Sequence, residues 1–134
     1  TIPKSPEELA NIEKAAEIAV QVYDKILTII KPGMTEKDID TEIAYQSRKL
    51  GSENDPFDII VVSGPRSALV HGTASDRKLK NGDIVLMDFG CKVNGFMSDI
   101  TRTIALGKAK KSRKAFINYA SKLKKPLSKE FALQ

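Results

Sequence analysis

The chain has 134 residues, with 22 Lys and Arg against 17 Asp and Glu, one His and one Cys, and a hydrophobic share of 41%; this is the size and composition of one ordinary globular domain with a modest core. No apolar run reaches the roughly 18 residues of a transmembrane helix, and the opening TIPKSPEEL has no apolar stretch of the kind a secretory signal needs. The single cysteine, Cys91, excludes an internal disulfide and fits a reducing, cytoplasmic setting.

The first predicted element is a helix. Ser5 is placed as N-cap, Pro6 takes the first helical position, and Glu8 closes a capping box. Leu9, Ile12, Ala16, Ala19, Val20, Tyr23, Ile26, Leu27 and Ile30 follow with a period near 3.6, which assigns one face to packing. Lys31–Pro32–Gly33 stops that helix. Thr35 opens a second, with Asp38 three residues on, apolar positions at Ile39, Ile43 and Leu50, and Gly51 as its stop. Residues 52–56 read as a polar loop. Phe57 to Val62 reads as a strand buried on both faces, because Ile59–Ile60 and Val61–Val62 are adjacent pairs. Ser63–Gly64–Pro65 breaks it, and residues 66–82 form a long loop that carries His71 and ends in the Asn81–Gly82 turn. The order is α-α-β-loop-β-β, an α+β pattern with helices on one side of an antiparallel sheet.

The stretch VLMDFGCKVNGFMSDITRT at 85–103 carries the chemistry. Ile84 to Met87 is a short apolar strand run, and Phe96 to Ala105 is a second strand rich in Thr and Ile. Between them Asn94–Gly95 is a hairpin signal, since both turn positions need positive φ. Centring the turn there pairs Val93 with Phe96 and Asp88 with Thr101. Asp99 then shares a face with Asp88 as a diagonal neighbour, roughly 7–8 Å away at the backbone. Two carboxylates so placed can converge on one ion, or bridge two ions about 3.5–4 Å apart. The competing reading makes Asp88 a surface acid near a turn and pairs Asp99 with Arg102. Against it, Asp88 follows four apolar residues in a strand that reads as buried on both faces, and a buried carboxylate needs a partner. Cys91 reads as a small strand residue rather than a nucleophile, because no second histidine is present to activate it. His71 is, on its residues alone, an exposed loop histidine; Gly72 beside it leaves room for a substrate backbone.

MDFG at 87–90, SDITRT at 98–103, HG at 71–72 and SDRKLKNGDIVL at 75–86 resemble the Xaa-Pro peptidases, prolidase and aminopeptidase P, of the pita-bread metallopeptidases. The resemblance runs from about Lys4 to Gly107. It rests on two aspartates eleven residues apart, with HG seventeen before the first. The TRT pattern favours the Xaa-Pro branch over the methionine aminopeptidases. By this resemblance Asp88 and Asp99 are metal ligands shared by a Mn, Co or Zn pair, and His71 contacts the substrate or tetrahedral intermediate. The substrate so implied is a peptide with proline at its second position. The family also uses a further histidine and two glutamates from the second half of its catalytic domain, and usually a separate domain comes first. After Gly107 this sequence has no histidine and only Glu130 as an acid. The chain therefore resembles the N-terminal half of one pita-bread catalytic domain, with at most two of five expected ligands.

Residues 108–134 hold nine of the 22 basic residues and one of the 17 acids, net +8, which leaves residues 1–107 at net −3. Lys108 to Lys125 can form a basic amphipathic helix with Phe116, Ala120 and Leu123 on one face. Three readings compete for this segment: a helix packed on the sheet, sequence altered after a truncation or frameshift, or an electrostatic arm for an anionic partner. No aromatic interleaving supports single-stranded nucleic acid. Two units follow, 1–107 and 108–134. A half-domain exposes a sheet edge and apolar helix surface, so a homo-oligomer or a complementing half-domain is expected. The alternative function is a non-catalytic binding module that uses the basic tail.

Overall fold

The computed structural model describes residues 3–69 and 71–107, and within them the chain folds as two helices laid across one face of an antiparallel sheet. Helix α1 (Pro6–Ile29) begins as the sequence requires. The Ser5 hydroxyl accepts from the Glu8 amide at 3.2 Å, and the Glu8 carboxylate accepts from the Ser5 amide at 2.7 Å. Helix α2 (Glu36–Lys49) repeats the device, with Thr35 as N-cap and Asp38 returning the bond to the Thr35 amide at 2.7 Å. Helix α2 stops at the predicted Gly51, which takes positive φ, whereas α1 ends at Ile29 with Ile30 as its C-cap, just ahead of the predicted Lys31–Pro32–Gly33.

Strand β1 (Ile60–Ser63) pairs with β2 (Ile84–Phe89), and β2 pairs with β5 (Ile100–Ala105), all antiparallel, in the order β1-β2-β5. The tip of the hairpin forms a separate two-stranded ribbon, β3 (Lys92–Val93) with β4 (Phe96–Met97). The predicted turn is present: Asn94 at φ 48° and Gly95 at φ 83° are the two left-handed positions of a type I′ turn. The predicted pairs Val93–Phe96 and Asp88–Thr101 are both found. A five-residue 3-10 helix, Gly64–Ala68, follows β1 where the sequence suggested only a break and a loop.

The core lies between the helices and the sheet. Ala15, Ile18, Ala19, Val22 and Ile26 of α1 meet Ile39 and Ile43 of α2 and Val61, Val85, Met87 and Phe89 of the sheet, all buried. Cys91 is buried among them as a free thiol, the small strand-region residue expected.

Three expectations need correction. The apolar face predicted for α1 straddles two faces. Leu9, Val20 and Leu27 are 43–48% exposed, while the packed stripe lies roughly a third of a turn away, through Ala15, Ile18 and Val22. Ala19 and Ile26 belong to both stripes, whereas Ala15, Ile18 and Val22 lie outside the predicted one. Second, β2 is not buried on both faces. Val85, Met87 and Phe89 are buried against the helices, whereas Ile84, Leu86 and Asp88 alternate with them on a half-exposed face. Third, β1 starts at Ile60, not Phe57, because residues 57–59 leave the ladder to line a cavity. The proposed helix at 108–125 lies outside the described residues.

Among the described residues no helix is long and apolar enough to cross a membrane.

Candidate active site

The half-exposed face of the sheet carries the site. Its cross-strand rows follow from the register: Ile60, Asp88 and Thr101 in one, Val62, Leu86 and Thr103 in the next. Asp88 is therefore central in the sheet and flanked by a strand on either side. Its Oδ1 accepts from the Thr101 hydroxyl at 2.9 Å, which fixes the carboxylate.

Asp99 lies in the two-residue gap between β4 and β5, not inside a strand. The pairing register is nonetheless continuous through that gap, so Gly90 stands opposite Asp99 and Cys91 opposite Ser98. The Ser98 amide donates to the Cys91 carbonyl at 2.9 Å, and the Ser98 hydroxyl, which donates to the Ala15 carbonyl at 3.0 Å, also accepts from the Cys91 amide at 3.0 Å. Gly90 is what lets the two arms meet. A methyl built on it would overlap the Ser98 carbonyl oxygen and crowd Phe57 and Pro56.

Asp88, Asp99 and His71 line one cavity of about 410 Å³, with Gly72, Thr73 and the 57–60 segment completing its wall. The three residues singled out from sequence are thus brought together. Asp88 is half-buried, while Asp99 and His71 are exposed. The alternative partner for Asp99 is engaged elsewhere: the Arg102 guanidinium sits 5.8 Å from the Tyr23 ring centroid and donates to the Thr101 carbonyl at 3.0 Å. It faces the helix side, opposite Met87, and not the acid pair.

Sequence reasoning missed two parts of this region. The first is an acidic wall. A second groove shares Phe57, Asp58, Ile59 and Thr73 with the cavity and adds Asp40 and Asp55. Burial, then the Asp55 and Asp58 charges, push the Asp40 carboxyl above its ordinary range. The second is Glu36, fully buried at the start of α2. Burial alone would raise its carboxyl, yet hydrogen bonds from Ser75 and Ser63 outweigh that and hold it below the usual range. In sequence Glu36 reads as an ordinary first-turn acid, and nothing local marks it as buried.

Hard and borderline divalent ions take carboxylate oxygens, and the Asp88 and Asp99 carboxylates on one cavity suit them. The fit is partial, however: among the described residues no group of three or more His, Cys, Asp or Glu is placed to hold a metal.

The sequence profile of metallopeptidase family M24 matches residues 10–128. The chain is 42% identical over 106 residues to an Xaa-Pro dipeptidase of Pyrococcus furiosus, an overlap of 79% of this chain and 30% of that protein. In three dimensions it is similar to an Xaa-Pro dipeptidase from Bacillus anthracis, with TM-score 0.83 and 43% identity over 86% of this chain and 32% of the other. A prolidase from Pyrococcus furiosus gives TM-score 0.84 and 37% identity over 89% and 35%. The chain spans about 30% of the length of the curated relatives it matches.

Proposed function

The chain belongs to metallopeptidase family M24, and from that premise we propose that it forms one half of the catalytic domain of an Xaa-Pro peptidase. Residues 1–107 make up most of that half, and 108–134 are its basic extension. The observation that carries the reading is the single cavity lined by His71, Asp88 and Asp99. The relatives' names, Xaa-Pro dipeptidase and prolidase, support a peptide with proline at its second position as the substrate.

In this reading Asp88 and Asp99 hold divalent metal, Mn, Co or Zn, whose chemistry is to acidify a bound water and stabilise a developing oxyanion. Thr101 orients the Asp88 carboxylate through its hydroxyl. His71 faces the substrate side, where an imidazole can donate to or accept from the reacting carbonyl group. Gly72, expected to leave room for a substrate backbone, instead turns its bare side to Val62 and Leu69. Phe57 and Ile59 offer apolar contact. Two carboxylates do not make a dinuclear shell, so the remaining ligands come from a complementing half or from a second copy of the chain. The half-exposed Ile84 and Leu86 of β2 and the exposed apolar stripe of α1 are surfaces that such association would cover. Alone, the chain has little or no turnover. The cytoplasm, with its reduced thiols, suits the free Cys91.

A second reading follows from the charge of residues 108–134, net +8: a non-catalytic binding module that uses that segment for an anionic partner. The family match continues to residue 128, which favours the first reading, since it counts most of the segment as part of the domain.

Calorimetric titration of Mn²⁺ into the chain, beside an Asp88→Asn, Asp99→Asn double variant, tests the proposal, with each sample assayed on an Xaa-Pro dipeptide. Binding that disappears in the double variant supports it, and turnover adds that a second copy completes the site. No binding to the chain, alone or mixed with a C-terminal half from a relative, overturns it. Light scattering that finds a stable monomer at micromolar concentration removes the second copy as the source of ligands.

A further inference from the structure

We infer that Glu36 is a positioning residue: together with Arg66 it clamps both ends of the loop that carries His71 and so sets where the imidazole stands in the cavity. The role of His71 in this statement rests on the function proposed above; the clamp itself is read from the hydrogen bonds.

Glu36 is the first residue of α2 and has no exposed surface. Its Oε1 accepts from the Ser63 amide and hydroxyl, each at 2.8 Å. Its Oε2 accepts from the Ser75 amide at 3.0 Å, the Ser75 hydroxyl at 2.7 Å and Arg66 Nε at 3.1 Å. All five donors thus come from the two ends of one loop, Ser63 and Arg66 before His71 and Ser75 after it. Arg66 also crosses the loop, its Nη2 donating to the Thr73 carbonyl at 2.6 Å. Backbone bonds from the Glu36 amide to the Arg77 carbonyl and from the Lys37 amide to the Ser75 carbonyl tie the same helix end to the returning strand of the loop.

The arrangement exceeds what a helix start requires. Capping already comes from Thr35 and Asp38, so Glu36 is not needed to satisfy α2. A buried carboxylate is costly unless paired and fully hydrogen-bonded, and here every bond it makes is spent on the loop. The loop is in turn pressed onto the site face. Gly72 lies so near β1 that a methyl built on it would stand 2.6 Å from Val62 Cγ1 and 3.0 Å from Leu69 Cβ. Val62 belongs to the row next to that of Asp88. Glu36 therefore fixes the base of the loop, Gly72 seats its far side against the sheet, and His71 projects from between these two points.

The test uses the full chain without metal. Arg66 is one-third exposed, so Arg66→Ala leaves the core intact while it removes the bridge to Thr73. The amides of Leu69 and Gly72, which donate to Arg66 and Leu69 carbonyls, report the loop by hydrogen exchange, and the nuclear Overhauser contact between Gly72 Hα and the Val62 methyls reports its seating. The expected result is exchange about tenfold faster at both amides, the factor that follows from losing one charge-assisted hydrogen bond, with a weakened Gly72–Val62 contact and less than about twofold change at Val85 and Met87. Arg66→Lys, which keeps the charge beside Glu36, restores part of the protection. Glu36→Gln, with one accepting oxygen in place of two, gives the larger effect at the same amides. Unchanged exchange at Leu69 and Gly72 in Arg66→Ala, or an equal rise throughout β2, overturns the clamp. Mn²⁺ binding with no loop effect overturns the clamp alone; a loop effect in a chain that binds no Mn²⁺, either alone or mixed with a C-terminal half from a relative, overturns the peptidase reading and leaves the clamp standing.

Discussion

Replacing Gly90 with alanine tests whether the hairpin brings the acid pair together. Gly90 has no left-handed φ to preserve, so alanine is not excluded by backbone conformation. The obstacle is contact: the new methyl would overlap the Ser98 carbonyl oxygen and stand 2.9 Å from Phe57 Cε1 and 3.0 Å from Pro56 Cγ. A ring or a proline can yield slightly; a backbone carbonyl moves only if its strand moves. The arm bearing Ser98 and Asp99 must then withdraw. Ser98 makes three hydrogen bonds at the meeting point, to the Cys91 carbonyl, from the Cys91 amide and to the Ala15 carbonyl. At about 1 kcal/mol net apiece, losing two or three costs about 2–3 kcal/mol, in line with overpacked interiors generally. For a domain of this size that is a fall in Tm of roughly 10–20 °C. Thermal unfolding followed by circular dichroism reads it, with Gly95→Ala as the comparison. Gly95 has φ 83° and no atom within 4 Å of an added methyl, so that variant suffers only the left-handed strain of about 1–2 kcal/mol. Mn²⁺ affinity is expected to fall in Gly90→Ala and to hold in Gly95→Ala, since only the first separates the arms. A Gly90→Ala protein that melts no lower than Gly95→Ala refutes the close approach of the arms, and with it the placement of Asp99 beside Asp88.

The remaining predictions concern acids and caps. Because the folded-state pKa of Glu36 is depressed, its contribution is present above its unfolded value and is lost as pH falls through the folded value; urea unfolding of Glu36→Gln should show its largest deficit at neutral pH and converge on wild type only in acid below the ordinary glutamate range. Asp40 has the opposite sign: its raised pKa means the charged form is disfavoured in the folded state, so Asp40→Asn should gain a few tenths of a kcal/mol at pH 7, with the gain vanishing as acid protonates the wild-type group. Ser5→Ala removes the hydroxyl half of the α1 capping box and should cost about 1 kcal/mol, read as a lower urea midpoint at unchanged slope.

What could be read from the sequence was what local rules decide. Ser5 with Glu8, Thr35 with Asp38, and Asn94 with Gly95 each mark their structure within four residues, and the last set the register that aligned Asp88 with Thr101. Membership in the family followed from motifs near these same residues. What could not be read depends on partners distant in the chain. Glu36 meets Ser63 and Ser75, 27 and 39 residues on, and no spacing rule connects them. In α1 the predicted stripe shares Ala19 and Ile26 with the packed one but leaves out Ala15, Ile18 and Val22, because apolar residues lie on both sides of the helix and only the position of the sheet decides which are buried. The strand at 57–59 was overextended because Phe57 and Ile59 line the cavity, and apolar residues there have the same composition as a buried strand.

The cavity is assembled from two kinds of contact, and this has a kinetic consequence. Asp88 and Thr101 are 13 residues apart, joined by one tight turn, and hairpins of this sort close in about 1–10 μs. The imidazole wall depends on bonds that span 39 residues and on a helix already in place, so it bears a larger loop-closure entropy before any contact rewards it. During refolding the carboxylate arms would come together first and His71 would arrive last, so that a refolding intermediate presents the acidic half of the cavity before the histidine half exists.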